Sequence, residues 1–445
     1  MKEVLVYGSG MSAIANSIVA HSKGYRVDML DTKGTFASGW GSDDIYLDGN
    51  SFRLDKGIRI PTSINNIFDE YLYNDDCYKS VDWFKANSFM SEAVLHSKFS
   101  NFSSSCLDIK SLGIDLHNLN SFFRQDQILA NNEEERLTQE YGKEITKRVF
   151  EDISVKRFGL TLSEIPPYAM KGLVPKRFIL GDKKIIENKF GINSQINSIA
   201  AHQDISSISL SDTKKIYYPK NITIDSWIEL LKTNLILKGI NIDLNFGDIR
   251  SITKLGRGYQ VLFTNGAKKD YEKILWSKPF IFLLKKLGLN EIVRSEELNF
   301  RIFRTMHLLM NGKVLHKKQY LLNFQDPWNL HRVIFWQNLQ FKSISKNIIT
   351  LELQYISGQD ESFIDLDLII SKLKKNGLLN TDSMIQDFKL VQTKTMIPIL
   401  LTKHHAKIFE YQCQIKEKFP NLYFPNSDGI RFLDELFQDA MGFFE

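Results

Sequence analysis

The sequence predicts an α/β protein: a parallel sheet opened by a βαβ unit near the first residue, interrupted by a second part that is helical plus antiparallel sheet. Three observations carry this. Val4–Gly8 (VLVYG) is a short apolar run of the kind shown by a strand buried on both faces. Ile14, Ile18 and Val19 then recur at helical spacing up to about Ser22, Gly24 ends that helix, and Arg26–Leu30 (RVDML) supplies a second strand that stops at Asp31. Mixed strand and helix signals return only from Tyr217 onward.

Between about Ser63 and Phe190, apolar and aromatic residues recur every three or four positions, as in IFDEYLYNDDCYKSVDWF and EEERLTQEYGKEITKRVFEDI, which predicts a mostly helical region closed by Pro166-Pro167. From Tyr217 to Pro279 the pattern predicts a helix over about Asp225–Lys238, ended by Gly239. The strands INIDLN, Asp248–Ile252, GYQVLFTNG and KILWS follow, with Asn265-Gly266 as a hairpin turn. PFIFLLKKLGL from Pro279 reads as one amphipathic helix. RIFRTMHLLM, QYLLNF, HRVIFWQN and NIITLELQYI alternate as an antiparallel sheet does, and Pro420 to Glu445 reads as strand, glycine turn and closing helix.

At 445 residues the chain is long enough for two domains. The expected division is 1–62, 200–280 and 395–445 for the α/β part, and 63–199 and 281–394 for the other. Its 43% hydrophobic and 24% charged residues are those of an ordinary globular protein. A net charge of +5, with no dense Lys/Arg run among aromatics, argues against nucleic acid as a partner. No apolar run approaches the roughly 18–20 residues that span a bilayer, so no integral membrane segment is expected. Cys77, Cys106 and Cys413 are far apart, which argues against disulfides and structural zinc and for a cytoplasmic protein. His404-His405 lacks a third ligand at metal spacing, and no metal site is expected. Gly-x-Ser-x-Gly, Walker A and His-Glu-x-x-His patterns are all missing.

Gly8-Ser9-Gly10-Met11-Ser12-Ala13 matches G-x-G-x-x-G/A where a strand passes into a helix. Gly8 permits the tight turn, Gly10 lets a pyrophosphate approach the backbone, and Ala13 lets helix and strand pack closely. The free N–H groups of Met11, Ser12 and Ala13 face that pyrophosphate at the positive end of the helix. Asp31, with Thr32 beside it, ends the next strand about 20 residues on, where a carboxylate accepts from a ribose diol. The same charge argues against a ribose 2′-phosphate. An NAD dehydrogenase continues here with another βα unit. This chain instead has a second glycine-rich loop (Gly34, Gly39, Gly41), then Asp55 and Gly57 after a strand, then a long insertion. The interruption points to FAD and a Rossmann-type FAD-binding domain.

These segments together resemble the flavin amine oxidase and protoporphyrinogen oxidase-like superfamily, which includes the UDP-galactopyranose mutases, and the resemblance covers most of the chain. FRLDKGIRI is similar to that family's D-x-G-x-H element past the flavin ring, which implies roles for Gly57, Ile58 and Arg59; Arg59 stands where the mutases tend to carry His. YGKEITKRVFEDISVKRFGLTLSEI resembles a helix that ends in Lys-x-x-Gly. YYPKNITIDSWIELLKTNLILKGINIDLNFGDIRSI resembles the adenine-side segment and implies that Ile249 touches adenine through its backbone. LHRVIFWQN is similar to a mutase strand that carries Arg332. In NLYFPNSDGIRFLDELFQDA, Asp428 and Gly429 stand near the family's flavin contact with a one-residue shift. The family's Gly-Gly-Arg is Ser38-Gly39-Trp40, which leaves Gly39 and Trp40 at the flavin but no phosphate-facing arginine.

The resemblance implies an FAD-dependent oxidoreductase of the amine oxidase type that abstracts hydride from a small organic substrate. Two further readings stand beside it: a mutase-like flavoenzyme acting on a nucleotide sugar, and a non-catalytic binding protein of the same fold. Arg59 and Arg332 are the candidate catalytic residues, cations near the flavin and for an anionic, phosphate-bearing substrate group. Trp328, Phe335, Trp336, Tyr320 and Tyr355 form either a stacking wall or, more in keeping with strand aromatics, core.

Overall fold

The computed structural model of the chain describes residues 2–32, 34–57, 61–86, 91–95, 98–99, 106–108, 113, 130–171, 173–174, 177–181, 184, 200–202, 216–289, 299–312, 314–315, 319–323, 329–339, 347–359, 365–391, 395–425 and 433–445. Ile58, Arg59, Trp328, Asp428 and Gly429 lie outside them.

The expected opening is present: strand Glu3–Tyr7, helix Met11–Ser22 and strand Arg26–Leu30. Val4, Leu5, Val6 and Tyr7 are fully buried, because both faces of the strand are covered. The sheet around it has five strands, in the order Asn241–Asp243, Arg26–Leu30, Glu3–Tyr7, Lys273–Trp276, Leu422–Tyr423. Every adjacent pair is parallel. Three of these strands come from far downstream, as the late return of strand signals implied. Their C-terminal ends lie together, and ligands of open parallel sheets bind at that edge.

Helix Ile224–Leu237 and the hairpin Gly258–Phe263/Lys268–Tyr271 fall where the sequence placed them, the hairpin forming a three-stranded antiparallel sheet with Ile249–Leu255. The segment 63–190 is less helical than its periodicity predicts. Helices Glu133–Tyr141 and Glu151–Phe158 are there, but so are strands Trp83–Ala86, Ser91–Leu95, Cys106–Asp108 and Arg177–Gly181. Each of these strands pairs with a remote segment, for example Ser91–Leu95 with Tyr320–Asn323, so tertiary pairing overrides the local pattern.

The large second sheet has eight strands built on the long strand Asn299–Asn311. It includes Ile348–Ile356, Leu330–Phe335 and Tyr320–Asn323, the four alternating segments read from the sequence. Met384–Leu390 and Thr395–Ile399 pair with opposite ends of the long strand. One face packs on helix Leu366–Lys375 through Ile349, Leu351, Leu353 and Ile369. On the other side, Ile334, Trp336 and Ile348 share one apolar cluster with Met11, Ala13 and Ile14 of the first helix. Among the described residues no helix is long and apolar enough to cross a membrane.

Candidate functional site

The glycine turn has the geometry its sequence asks for. Gly8 has φ +138°, and a Cβ there would meet Ser277 at 3.2 Å, so conformation and space both require glycine. Gly10 caps the first helix with φ −80° and ψ 179°, a backbone any residue adopts. A Cβ on Gly10 would meet nothing within 4 Å. Protein packing therefore does not demand glycine here. No side chain caps this helix and its first turn holds no acid, an arrangement that suits an anion at a helix start. Ala13 is fully buried and seats the helix on the strand.

The second glycine loop folds back onto this turn. Ala37, at φ 47°, donates its N–H to the Ser9 carbonyl at 2.7 Å. Trp40 donates to Ala37 O at 2.7 Å and rests half-buried, its ring 6.0 Å from that of Trp227. A Cβ on Gly39, like one on Gly10, would meet nothing within 4 Å. Two glycines facing open space and an uncapped helix start fit a dinucleotide's pyrophosphate.

Asp31 is buried at the end of its strand. Its Oδ1 accepts from Thr32 N at 2.7 Å and lies 2.6 Å from Lys278 Nζ. Burial alone would raise this carboxyl; Lys278, Ser9 and the Thr32 amide outweigh it and hold the group below the usual carboxylate range. Ile249 is fully buried in its strand, and its N–H donates to Tyr7 Oη at 3.3 Å. Tyr7 in turn donates to Asp248 at 2.5 Å, and Lys286 reaches the other Asp248 oxygen at 2.6 Å. Gly57 is buried at φ +138°. Asp55 just before it accepts from Ser42 Oγ (2.6 Å), Tyr218 Oη (2.6 Å) and Ile224 N (3.0 Å). This one carboxylate ties the 42–55 hairpin to the start of helix Ile224–Leu237.

Arg332 lies on the large sheet beside Glu352, Nε to Oε2 3.2 Å, with its guanidinium 5.5 Å from the Tyr320 ring centre. Register places it among other arginines. Arg332 and Thr305 both pair with Glu352 and share its face, and alternation along the long strand brings Arg301 to that face. Arg157 approaches from helix Glu151–Phe158, donating to Gln354 Oε1 at 3.2 Å and to Asn323 O at 2.9 Å. Gly159 lets that helix come so close: it ends the helix at φ +67°, and a Cβ there would strike Ile356 at 2.8 Å. Arg157 is fully buried and Arg301 is 4% exposed. Nε and Nη1 of Arg301 find no acceptor among the described residues, and its guanidinium lies 4.7 Å from the Phe158 ring centre. Desolvation, then the Arg301 and Arg332 charges, push Arg157 down to about 9; desolvation takes Arg301 to about 10. Guanidinium nonetheless stays charged at neutral pH, so this face gathers three cations, Arg157, Arg301 and Arg332, near Glu352. Phe335, Trp336 and Tyr355 are fully buried and Tyr320 nearly so; they are core.

Residue pattern did not single out Lys278, Arg157, Arg301 or Glu352. Glu352 left the clearest trace, a lone acid inside the apolar strand NIITLELQYI.

No family model matches the sequence, and no curated protein matches it. Solved structures do. A reduced UDP-galactopyranose mutase is similar over 100% of this chain and 93% of its own, at TM-score 0.64 and 15% identity. A fatty acid isomerase from P. acnes that produces CLA is similar over 99% and 97%, at TM-score 0.54 and 11% identity. An oxidoreductase from Methanosarcina mazei follows at 88% and 88%, with TM-score 0.51 and 12% identity. The chain has the fold that these proteins share, the flavin amine oxidase-like fold that its motifs resemble.

Proposed function

We propose that this chain is an FAD-dependent enzyme of the oxidoreductase type that acts on a small organic substrate bearing an anionic group, in the cytoplasm. The observation that carries the reading is the Gly8–Ala13 turn, which opens an uncapped helix beside Asp31 at the C-terminal edge of a parallel sheet. In this reading 1–62, 200–280 and 395–445 form a Rossmann-type FAD-binding domain, and 63–199 and 281–394 the substrate domain. Gly8, Gly10, Met11, Ser12 and Ala13 hold the pyrophosphate, and Asp31 with Thr32 the ribose. Ile249 lines the adenine side; Gly39, Trp40, Gly57, Ile58, Asp428 and Gly429 lie along the flavin half. FAD, when bound, supplies the hydride-accepting chemistry. The protein orients the substrate, excludes water and places cations, Arg59 near the flavin and Arg332 at the substrate's anionic group.

The arginine-lined face supports a second reading, a mutase-like enzyme whose nucleotide-sugar substrate gives these guanidiniums a diphosphate. The full-length likeness to UDP-galactopyranose mutase favours it too. Purification separates the possibilities. A yellow protein with a flavin absorption band supports both readings; a colourless one that takes up no added FAD overturns them and leaves a non-catalytic binding protein. Turnover of a UDP-sugar in dithionite with no net redox change then selects the mutase, and substrate-dependent bleaching of the oxidised flavin selects the oxidoreductase.

A further inference from the structure

The ribose carboxylate creates an electrostatic problem at the phosphate turn. Asp31 is 1% exposed and bonded to the Ser9 side chain, so its negative charge stands beside the position where two phosphates would lie. Away from bulk water, like charges at short range repel more strongly than they do in solution. The arginine that would answer this in the resembling family is Trp40 here.

A cation comes instead from a different strand. Lys278 follows Lys273–Trp276, the neighbour of the first strand, and its Nζ is 2.6 Å from Asp31 Oδ1 and 4.3 Å from the Tyr7 ring centre. Its backbone is braced against the turn through the preceding residue: Ser277 packs on Gly8, and Asn16 of the first helix donates to Ser277 Oγ at 2.8 Å. The other charges facing this spot are already matched, since Asp248 is taken by Tyr7 and Lys286. Lys278 is therefore fixed where it can cancel Asp31 without collapsing onto another acid.

We propose that Lys278 is the positioning residue that lets a phosphate chain lie against Asp31, doing from the end of a neighbouring strand what residue 40 does not. The proposal rests on the dinucleotide reading and assigns the site's preference for phosphate-bearing over phosphate-free nucleosides to one side chain. Loss of the lysine charge leaves an unbalanced buried carboxylate beside the phosphates, whereas adenosine feels no such repulsion.

Binding of FAD, ADP and adenosine to the full chain, measured by calorimetry or fluorescence, tests it. Lys278→Met weakens ADP by at least about tenfold and adenosine by less than about threefold, and Lys278→Arg keeps ADP within about threefold of the parent. Lys278→Gln, which retains a donor for Asp31 but no charge, shows the same split and carries the test if the methionine variant does not fold. Equal losses for ADP and adenosine, or unchanged ADP binding, overturn the proposal. A parent protein that binds neither FAD nor ADP overturns the nucleotide reading itself, and the role of Lys278 with it.

Discussion

Around the parallel sheet three acids each have a cation: Asp31 has Lys278, Asp248 has Lys286 and Asp28 has Lys269. Across the large sheet, Arg332 pairs with Glu352, whose charge also reaches Arg157, while Nε and Nη1 of Arg301 find no acceptor among the described residues. The arginine face is the more buried of the two, Arg157 at 0% and Arg301 at 4% exposure against 46% for the Asp248 side chain, and a buried charge that loses its partner destabilises by several kcal/mol. The balanced cluster is complete as it folds. In the proposed function the first region is the pre-organised nucleotide holder and the arginine face the place for the substrate's anionic group.

The largest break in this contrast comes from Glu352→Gln, which removes the carboxylate that pairs with Arg332 and offsets Arg157. It should cost about 3 kcal/mol in urea unfolding, and an unchanged midpoint would mean that the arginines are not coupled. Gly10→Val tests the other region. Its Cβ meets nothing in the protein, so the melting temperature should move by only a few degrees while FAD retention falls at least about a hundredfold; a variant that still purifies yellow sinks the turn assignment.

Acid should separate the regions by pH. His307 is fully buried on the arginine strand, Nδ1 2.7 Å from Thr350 Oγ1, and burial pushes it down to about 4. A histidine with a depressed folded pKa contributes stability above its ordinary value near 6.5, and that contribution is lost as pH falls from there toward 4. About 2 kcal/mol should therefore disappear between pH 8 and pH 5, and His307→Gln should flatten that limb. Asp31, held low instead, contributes above the usual carboxylate range near 4 and loses that contribution only at lower pH. Nucleotide binding that fails together with folding at pH 5 would contradict this order. The smallest effect is Arg301→Met, which removes an uncompensated cation and should stabilise the protein without ligand by about 1 kcal/mol while weakening an anionic substrate; destabilisation would show that Arg301 has a structural partner.

What the sequence revealed follows from how local each signal is. The βαβ start, the Asn265-Gly266 hairpin and the four alternating strands rest on spacing within a few residues, and the structure has them. The strands between 83 and 181 were invisible because they pair with segments as distant as Tyr320–Asn323. The same reasoning separates the site residues. Gly8, Gly10 and Asp31 form a contiguous pattern, whereas Lys278 gains meaning only when its strand lands beside the first one. Arg157 and Arg301 look like ordinary charged residues until a helix packs on the sheet and buries them.

The strand order of the parallel sheet has a consequence for synthesis. Glu3–Tyr7 lies between Arg26–Leu30 and Lys273–Trp276, and Asn241–Asp243 closes the far side. At about 5–20 residues per second, the ribosome delivers residue 276 roughly 15–50 s after residue 7. For that interval Glu3–Tyr7 can pair only with Arg26–Leu30, and its other edge stays open until Lys273–Trp276 arrives. The glycines of the turn are made long before the last strands of the sheet they adjoin.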